Sequence, residues 1–389
     1  MSMQFKSPPT TPSTVGSQII NLYYVKKALV ELPKLQFFSQ LADVTSMPKN
    51  FGKTIKRYHY MPLLDDRNIN DQGLDAAGAS YTGGNLYGSS KDVGTISAKM
   101  PALSETGGRV NRIGFKRIEL EGTLEKFGFF DEYTQESMDF DTDEALMEHI
   151  NREMILGANE MTEDALQIDL LNSAGVVRYA GAAVSNVTVN ATSVVTYGDL
   201  MRVSIQLDQN RCPKQTKVIT GSRMIDTKTL PSARVAYIGS ELIPTFKAMK
   251  DLHDNPAFIS VERYGAAGAT ILAGELGTVD QFRLVVVPEM MKWAGAGADA
   301  SADATCHETA NKFDVFPILV VGDESFTTIG FQTDGKSVKF KIMHKAPGEA
   351  TANQLDPYGE TGFMSIKWYY GFMCLRPERI ALIKTVGKL

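Results

Sequence analysis

Apolar and polar positions alternate with a period of two on either side of a long segment that shows no period at all. Before that segment, Lys53-Thr54-Ile55-Lys56-Arg57-Tyr58-His59-Tyr60 is rich in β-branched and aromatic residues. After it, Ile118, Leu120, Gly122 and Leu124 alternate with Arg117, Glu119, Glu121, Thr123 and Glu125, the pattern of a half-buried strand. The stretch between, Met61 to Arg112, is crowded with Gly, Ser, Asn and Asp and thin in large apolar side chains. A compact domain rarely tolerates so long an interruption unless it is disordered or functional. Two strands joined by such an arm predict a β-hairpin that leaves its own domain and lies on another copy of the same chain.

The next pattern is helical. Leu146, Ile150, Met154, Ala158, Met161, Ala165 and Ile168 recur at spacings of four or three, which predicts an apolar stripe on a helix from about Asp141 to Asn172. Asp141 and Glu144 resemble a capping box, with Asp in place of Ser or Thr. A helix of that length is a rod of about 45 Å, and the spacing makes it a spine. Gly157 interrupts its propensity and Gly175 is a plausible stop. A shorter helix is expected over Ser17–Leu32, ended by Pro33, behind a Pro/Ser/Thr tail that has no core of its own.

From about Gly181 to Met343 the pattern becomes α/β. Unbroken apolar runs at 217–220, 234–238, 283–287 and 318–321 predict strands covered on both faces, and helices are expected over 197–210 and 240–251. The small-residue run Gly295 to Asn311 reads as a low-complexity surface loop. Ile366, Trp368, Tyr370, Phe372 and Cys374 then alternate with polar or smaller neighbours, and a final strand is expected from Ile380 to Val386. The C-terminus is expected to return to the domain of the spine helix, leaving the α/β region as an insertion.

Composition adds bounds. The chain has 389 residues, 43% of them hydrophobic and a net charge of −5, enough for two or three domains and a real core. The acidic balance argues against a dedicated nucleic-acid binder, though not against a wall that encloses nucleic acid. Cys212, Cys306 and Cys374 lack any CxxC or zinc spacing, so neither a disulfide framework nor a structural metal is predicted. No apolar run reaches the length of a membrane span, and MSMQFKSPPTTPST lacks the apolar core of a signal peptide.

Candidate chemistry is sparse. Gly330 to Ser337 matches the phosphate-loop pattern letter for letter. That motif needs a helix after it to receive the phosphates, whereas Ser337 to Met343 alternates as a strand with Asp334-Gly335 as a hairpin turn. The match is rejected. The histidines at 59, 149, 253, 307 and 344 form no ligand pair, and His307-Glu308 sits in the loop expected to be mobile. Asp65-Asp66, Asp139/Asp141/Asp143 and Glu163-Asp164 are carboxylate clusters that solvated turns and helix faces explain. Tyr23-Tyr24 and Trp368-Tyr369-Tyr370 lack interleaved basic residues, so core or interface roles are expected rather than base stacking. No catalytic, cofactor-binding or metal-binding residue is assigned, and no cofactor is expected.

Taken together, an N-terminal arm, an extended hairpin, a spine helix, an inserted α/β domain and a C-terminal return strand resemble the tailed-phage (Hong Kong 97-type) major capsid fold, of class α+β. Local sequence sharpens the likeness: Leu41-Ala42-Asp43-Val44 through Met47-Pro48-Lys49-Asn50-Phe51-Gly52-Lys53-Thr54-Ile55, then Glu121-Gly122-Thr123-Leu124-Glu125-Lys126-Phe127-Gly128. Further on come Gly239 and the run Ile271 to Val279 before Phe282 to Pro288. The order of these motifs resembles the major capsid proteins of enquatrovirus-type (Schitoviridae-like) podophages. The resemblance implies an N-arm at 1–50, an E-loop at 51–112, a P-domain at 113–180 and 344–389, and an A-domain at 181–343. It implies a shell protein that self-assembles into pentamers and hexamers around packaged double-stranded DNA in a virion capsid. Assembly would take place in the host bacterial cytoplasm, with scaffolding, portal and decoration proteins as partners. DNA contact would be weak and non-specific, and no membrane is involved. The loop at 295–311 is a candidate outer docking point for a decoration protein. Lys91 and Lys99 lie in the segment where some shells of this fold crosslink, but no crosslink is assigned. An encapsulin-type cargo shell and, more distantly, an α/β enzyme are the competing readings.

Overall fold

A computed structural model of the chain describes residues 117–140, 146–214, 233–265, 272–300, 305–331, 340–349 and 356–388, with shorter pieces at 37–38, 41, 43–47, 50, 52–60, 105, 216–219, 227–230 and 351–352. The described residues fall into two compact units, one within 128–160 and 341–367, the other within 36–127, 161–340 and 368–389. The chain opens with strands β1 (Asp43–Met47), β2 (Thr54–Tyr60) and β3 (Arg117–Thr134), then helices α1 (Gln135–Phe140) and α2 (Leu146–Asn172). Next come β4 (Val176–Tyr179), α3 (Tyr197–Gln209), β5 (Thr216–Ile219), β6 (Thr227–Leu230), β7 (Arg234–Gly239), α4 (Ile243–Lys247), β8 (Phe258–Ser260) and α5 (Val261–Gly265). It continues through β9 (Glu275–Val279), β10 (Phe282–Val287), β11 (Glu308–Thr309), β12 (Lys312–Phe313) and β13 (Phe316–Val321). Last are β14 (Phe326–Phe331), β15 (Phe340–Lys345), β16 (Thr361–Cys374) and β17 (Ile380–Thr385).

The second unit is built on a seven-stranded mixed sheet in the order β4-β17-β13-β7-β10-β9-β8. Its central strands are the apolar runs that the sequence marks as doubly covered. Every residue of β7 and β13 is buried. Leu200, Val203 and Leu207 of α3 pack with Leu242, Phe246 and these strands into one core. The helix starts on a true capping box: Thr196 Oγ1 accepts from the Asp199 N–H, and Asp199 Oδ2 accepts from the Thr196 N–H at 3.1 Å. The chain enters β7 on Arg234, wholly buried, whose guanidinium donates to Asp208 Oδ1 at 2.6 Å and to the Cys212 carbonyl at 2.8 Å.

Three expectations change here. The final strand does not return to a separate spine domain: β17 lies inside the α/β sheet, antiparallel to β13 over six residue pairs and parallel to β4 over four. An apolar run is satisfied by any sheet that buries it, so periodicity alone could not choose. The run at 217–220 is likewise not a central strand, since β5 pairs only with β6 in a two-stranded sheet. The helix expected over 240–251 is shorter, a 3-10 turn Ser240–Leu242 followed by α4 with Pro244 in its first turn.

The run from Ala294 to Asn311 is not a loose surface loop where it is described. Ala300, Cys306 and Phe313 are buried with Val189, Val315 and Val386, and Trp293, Ala296 and Ala298 pack against them. Its small residues let backbones touch: the Gly297 N–H donates to the Phe313 carbonyl at 2.8 Å, where a Cβ on Gly297 would sit 2.7 Å from that same oxygen. Asp314, 1% exposed, fastens the base of the segment. It accepts from Lys292 Nζ at 2.7 Å, the Gly295 N–H at 2.8 Å and Thr309 Oγ1 at 3.1 Å. Burial pushes this carboxyl up, but Lys292, Gly295 and Thr309 outweigh it and hold it below the ordinary carboxylate range.

The other large sheet runs β1-β14-β16-β3-β2, with β15 also paired to β16. Along β16 the predicted alternation holds through Tyr370 and then changes face, so that Gly371 and Met373 are buried while Phe372 and Cys374 are only half-buried. In α2 the predicted stripe holds only in the first half. Met154 and Ala158 are buried, but Met161 and Ile168 are 48% and 47% exposed, and the second half buries Leu166 and Leu170 instead. At 100° per residue the buried face turns by roughly 120° between Met154 and Leu166. The Asp141–Ala145 start, the 17–32 helix and the arm itself lie outside the described residues.

Thr196→Ala should lower stability by about 1 kcal/mol, read as a shift in the urea midpoint with unchanged slope. Asp314→Asn should cost roughly 1–3 kcal/mol at neutral pH, since it leaves Lys292 without its charge partner. A depressed carboxyl stabilises the fold above its unfolded value and loses that contribution as pH falls through its folded value. The gap between wild type and D314N should therefore be constant above about pH 5 and close below about pH 4. A gap that persists at low pH would assign the effect to packing rather than to charge.

Candidate functional site

The arm root is where the two period-two segments meet. β2 and β3 pair antiparallel from Thr54↔Thr123 to Tyr60↔Arg117, as the hairpin expectation requires. Alternation gives the pair two different faces. On one, Lys56 Nζ lies 2.6 Å from Glu121 and 3.5 Å from Glu119, and the Arg117 guanidinium sits 4.1 Å over the Tyr58 ring. The Glu121 and Glu119 carboxylates raise the Lys56 ammonium above its usual range. On the other face, Ile55 and Leu120 pack against the buried cluster Met47, Leu124, Ile329 and Met373. Gly122 is required there, because a Cβ would lie 2.6 Å from Ile329 Cδ1 and 3.0 Å from Met373 Cβ. The result is a root fixed on its own sheet, from which the polar segment departs. Asp65, Asp66, Lys91 and Lys99 lie on that segment, outside the described residues.

A second fixed point was not foreseen in the sequence. Glu163 on α2 accepts the backbone N–H groups of Phe37 and Phe38 through one oxygen, at 2.8 and 2.6 Å. Phe38 is buried and its ring meets Tyr237 with centroids 4.9 Å apart. The carboxylate thus anchors the chain just after its N-terminal segment, and the only trace in sequence was an acidic pair on a helix face.

The remaining candidates do not converge. His253 lies in an exposed turn, and the His344 ring hydrogen-bonds the Tyr133 hydroxyl. His307 is held rather than mobile: its N–H donates to the Gly387 carbonyl at 3.0 Å and its ring meets Phe316 edge-on at 5.5 Å. His59 lies on β2 and His149 on α2. Asp139 accepts from Gln135 Nε2, while Asp141 and Asp143 lie outside the described residues. Among the described residues no group of three metal-ligating side chains forms. No described helix is long and apolar enough to cross a membrane.

The phosphate-loop match is also placed. Gly330 and Phe331 end β14, residues 332–339 lie outside the described residues, and Phe340 begins β15. A strand stands where the motif needs a helix, but the simple hairpin expected around Asp334-Gly335 is not what flanks it. Both strands pair with β16, not with each other. Trp368 and Tyr370 are buried in the core, and Tyr370 donates to Asp169 Oδ2 at 2.7 Å. Burial pushes the Asp169 carboxyl up against the lowering effect of that bond. The three cysteines are free, and burial raises the thiols of Cys212 and Cys374, the latter to about 11. These groups are structural pins, each spent on a neighbour inside the chain.

Similarity to known proteins bears on what the chain is. A family model described as phage capsid protein matches residues 117–384. The major capsid protein of Pseudomonas phage KPP21 is 64% identical over 379 residues, covering 97% of this chain and 95% of that one. The capsid of Ralstonia phage GP4 superposes with a TM-score of 0.58 at 10% identity, over 96% of this chain and 97% of that one. The capsid structure of Cyanophage P-SCSP1u gives 0.51 at 14% identity, over 94% and 92%. The fold is of the mixed helix-and-sheet, Hong Kong 97-like kind shared by phage capsids, and the chain belongs to the phage capsid protein family.

Proposed function

With that membership as the premise, we propose that this chain is the major capsid protein of a tailed double-stranded DNA bacteriophage. Its copies would form the pentamers and hexamers of an icosahedral shell that encloses the genome. The observation that carries the reading is near full-length similarity to a protein of that name, 64% identical over 97% of this chain. The order of the local motifs supports a finer placement among enquatrovirus-type podophages.

Within the shell, residues 51–112 act as the E-loop, launched from the β2–β3 root, and residues 1–50 as the N-arm, tied at Phe37 and Phe38 by Glu163. The spine helix α2 with the long strands β3 and β16 forms the P-domain. The A-domain is the seven-stranded sheet, with boundaries widened from 181–343 to take in β4 and β17. Apolar side chains left exposed on one copy, Phe130 at 64%, Met161 at 48% and Ile168 at 47% among them, are available for neighbours to cover.

Partners follow from the same reading. A scaffolding protein, a portal and a decoration protein would accompany the chain through assembly in the host bacterial cytoplasm. Packaged DNA would meet it weakly and without sequence preference, because a chain of net charge −5 has little counterion release to draw on.

Native particles carrying this chain should sediment as multi-megadalton shells filled with double-stranded DNA. Particles holding protein cargo instead would point to an encapsulin-type compartment, and a species of a few subunits would remove the shell reading. Deleting Gly73–Gly94 should leave a folded subunit, judged by circular dichroism, that no longer forms stable shells. Normal shells from this deletion would overturn the arm assignment.

A further inference from the structure

The arm root and the far half of β3 carry opposite charge, with Glu119 and Glu121 on the strand's first half taking up Lys56. The sequence around its start holds Lys53, Lys56, Arg57, Lys116 and Arg117. Past its middle the balance reverses: from Phe127 to Asn151 there are eight carboxylates, Asp131 to Glu148, and no Lys or Arg. Among the described residues, none of Asp131, Glu132, Glu136 and Asp139 has a cationic partner, and no carboxylate pairs with Arg57.

The basic end also has a receptacle. A groove of about 220 Å³ lies under the arm root, with Leu120, Phe326 and Leu375 among its apolar lining and Arg57 and Arg376 among its cationic lining. Its one carboxylate, Glu324, is already shared, 3.1 Å from Arg376 and 3.9 Å from Arg379. Arg57 is exposed. The acidic end presents Glu136 and Asp139, both exposed and three residues apart on α1, a spacing that puts them on one helix face.

We propose that this groove docks a second copy of the chain, which sets the Glu136–Asp139 face of its α1 against Arg57 and Arg376. The proposal rests on the shell reading and names one contact within it. Using two different patches makes the contact heterologous, the kind that closes rings when repeated. The apolar lining removes water from the pair and strengthens it beyond an open surface bridge. The contact also weakens with added salt.

The test is a charge swap in the full chain, read by particle yield in sedimentation and by circular dichroism of the subunit. Arg57→Glu alone, and Glu136→Lys with Asp139→Lys, should each cut the yield at least tenfold while the subunit keeps its spectrum and melting point. Combining the three substitutions should restore at least a third of the wild-type yield. Either variant assembling as wild type, or a combination that fails to rescue, overturns the contact. If wild-type chain forms no particles under conditions that keep it folded, the shell reading falls first and the contact with it.

Discussion

The second unit depends on a strand that arrives last. β17, residues Ile380–Thr385, lies between β4 and β13 and pairs along both edges. Thr385 adds a side-chain clasp: its Oγ1 donates to the Ser193 carbonyl and accepts from the Val195 N–H, both at 3.0 Å. Without β17, β4 loses its neighbour and the apolar edge of β13 is left open. The sheet therefore closes across more than half the chain. Such non-local pairing is slow to form. An unpaired edge is a template for wrong pairing, and in the finished subunit β17 covers that edge of β13.

Charges inside this framework are used as fasteners. Arg234 ties α3 and the turn after it to the start of β7, and Asp314 ties Lys292, Gly295 and Thr309 together. Glu163 ties Phe37 and Phe38 to α2. Each fastens backbone at the end or edge of an element, where regular pairing stops. The arm from 61 to 112 is thin in large apolar side chains and crowded with Gly, Ser, Asn and Asp. Under the proposed function, neighbouring copies supply the support that this segment's composition does not.

Much of this was legible, for definable reasons. β7, β10 and β13 are recognisable because strands buried on both faces need uninterrupted apolar runs, and the β2–β3 root because half-buried strands alternate. The membership of β17 was not legible, since a short apolar run such as Ile380 to Ile383 suits either sheet equally. Nor was the packing of 294–311: Gly and Ala look like loop composition, yet here their smallness admits the Phe313 backbone. The anchors Glu163 and Asp314 left almost no trace, because a carboxylate that binds backbone N–H groups is chosen by position in space. For the candidate site, the alternation located the arm root, but nothing in the sequence signalled the tie at Phe37.

The spine helix shows why periodicity can mislead in a particular direction. Its stripe runs unbroken in sequence from Leu146 to Ile168, yet in a single copy the second half buries a face turned by roughly 120°. Met161 and Ile168 continue the stripe and are exposed. Two apolar residues seven apart on a helix share a face and weaken solubility if nothing covers them, so their retention needs a cause other than the fold of one chain. In a family of shell proteins the cause is at hand. Under the proposed function, hydrophobic spacing records burial wherever it occurs, inside the subunit for Met154 and Ala158 and against a neighbour for Met161 and Ile168. A sequence of this kind describes the assembled state, and the positions where a lone subunit disagrees with its own pattern are the first places to look for contacts between copies.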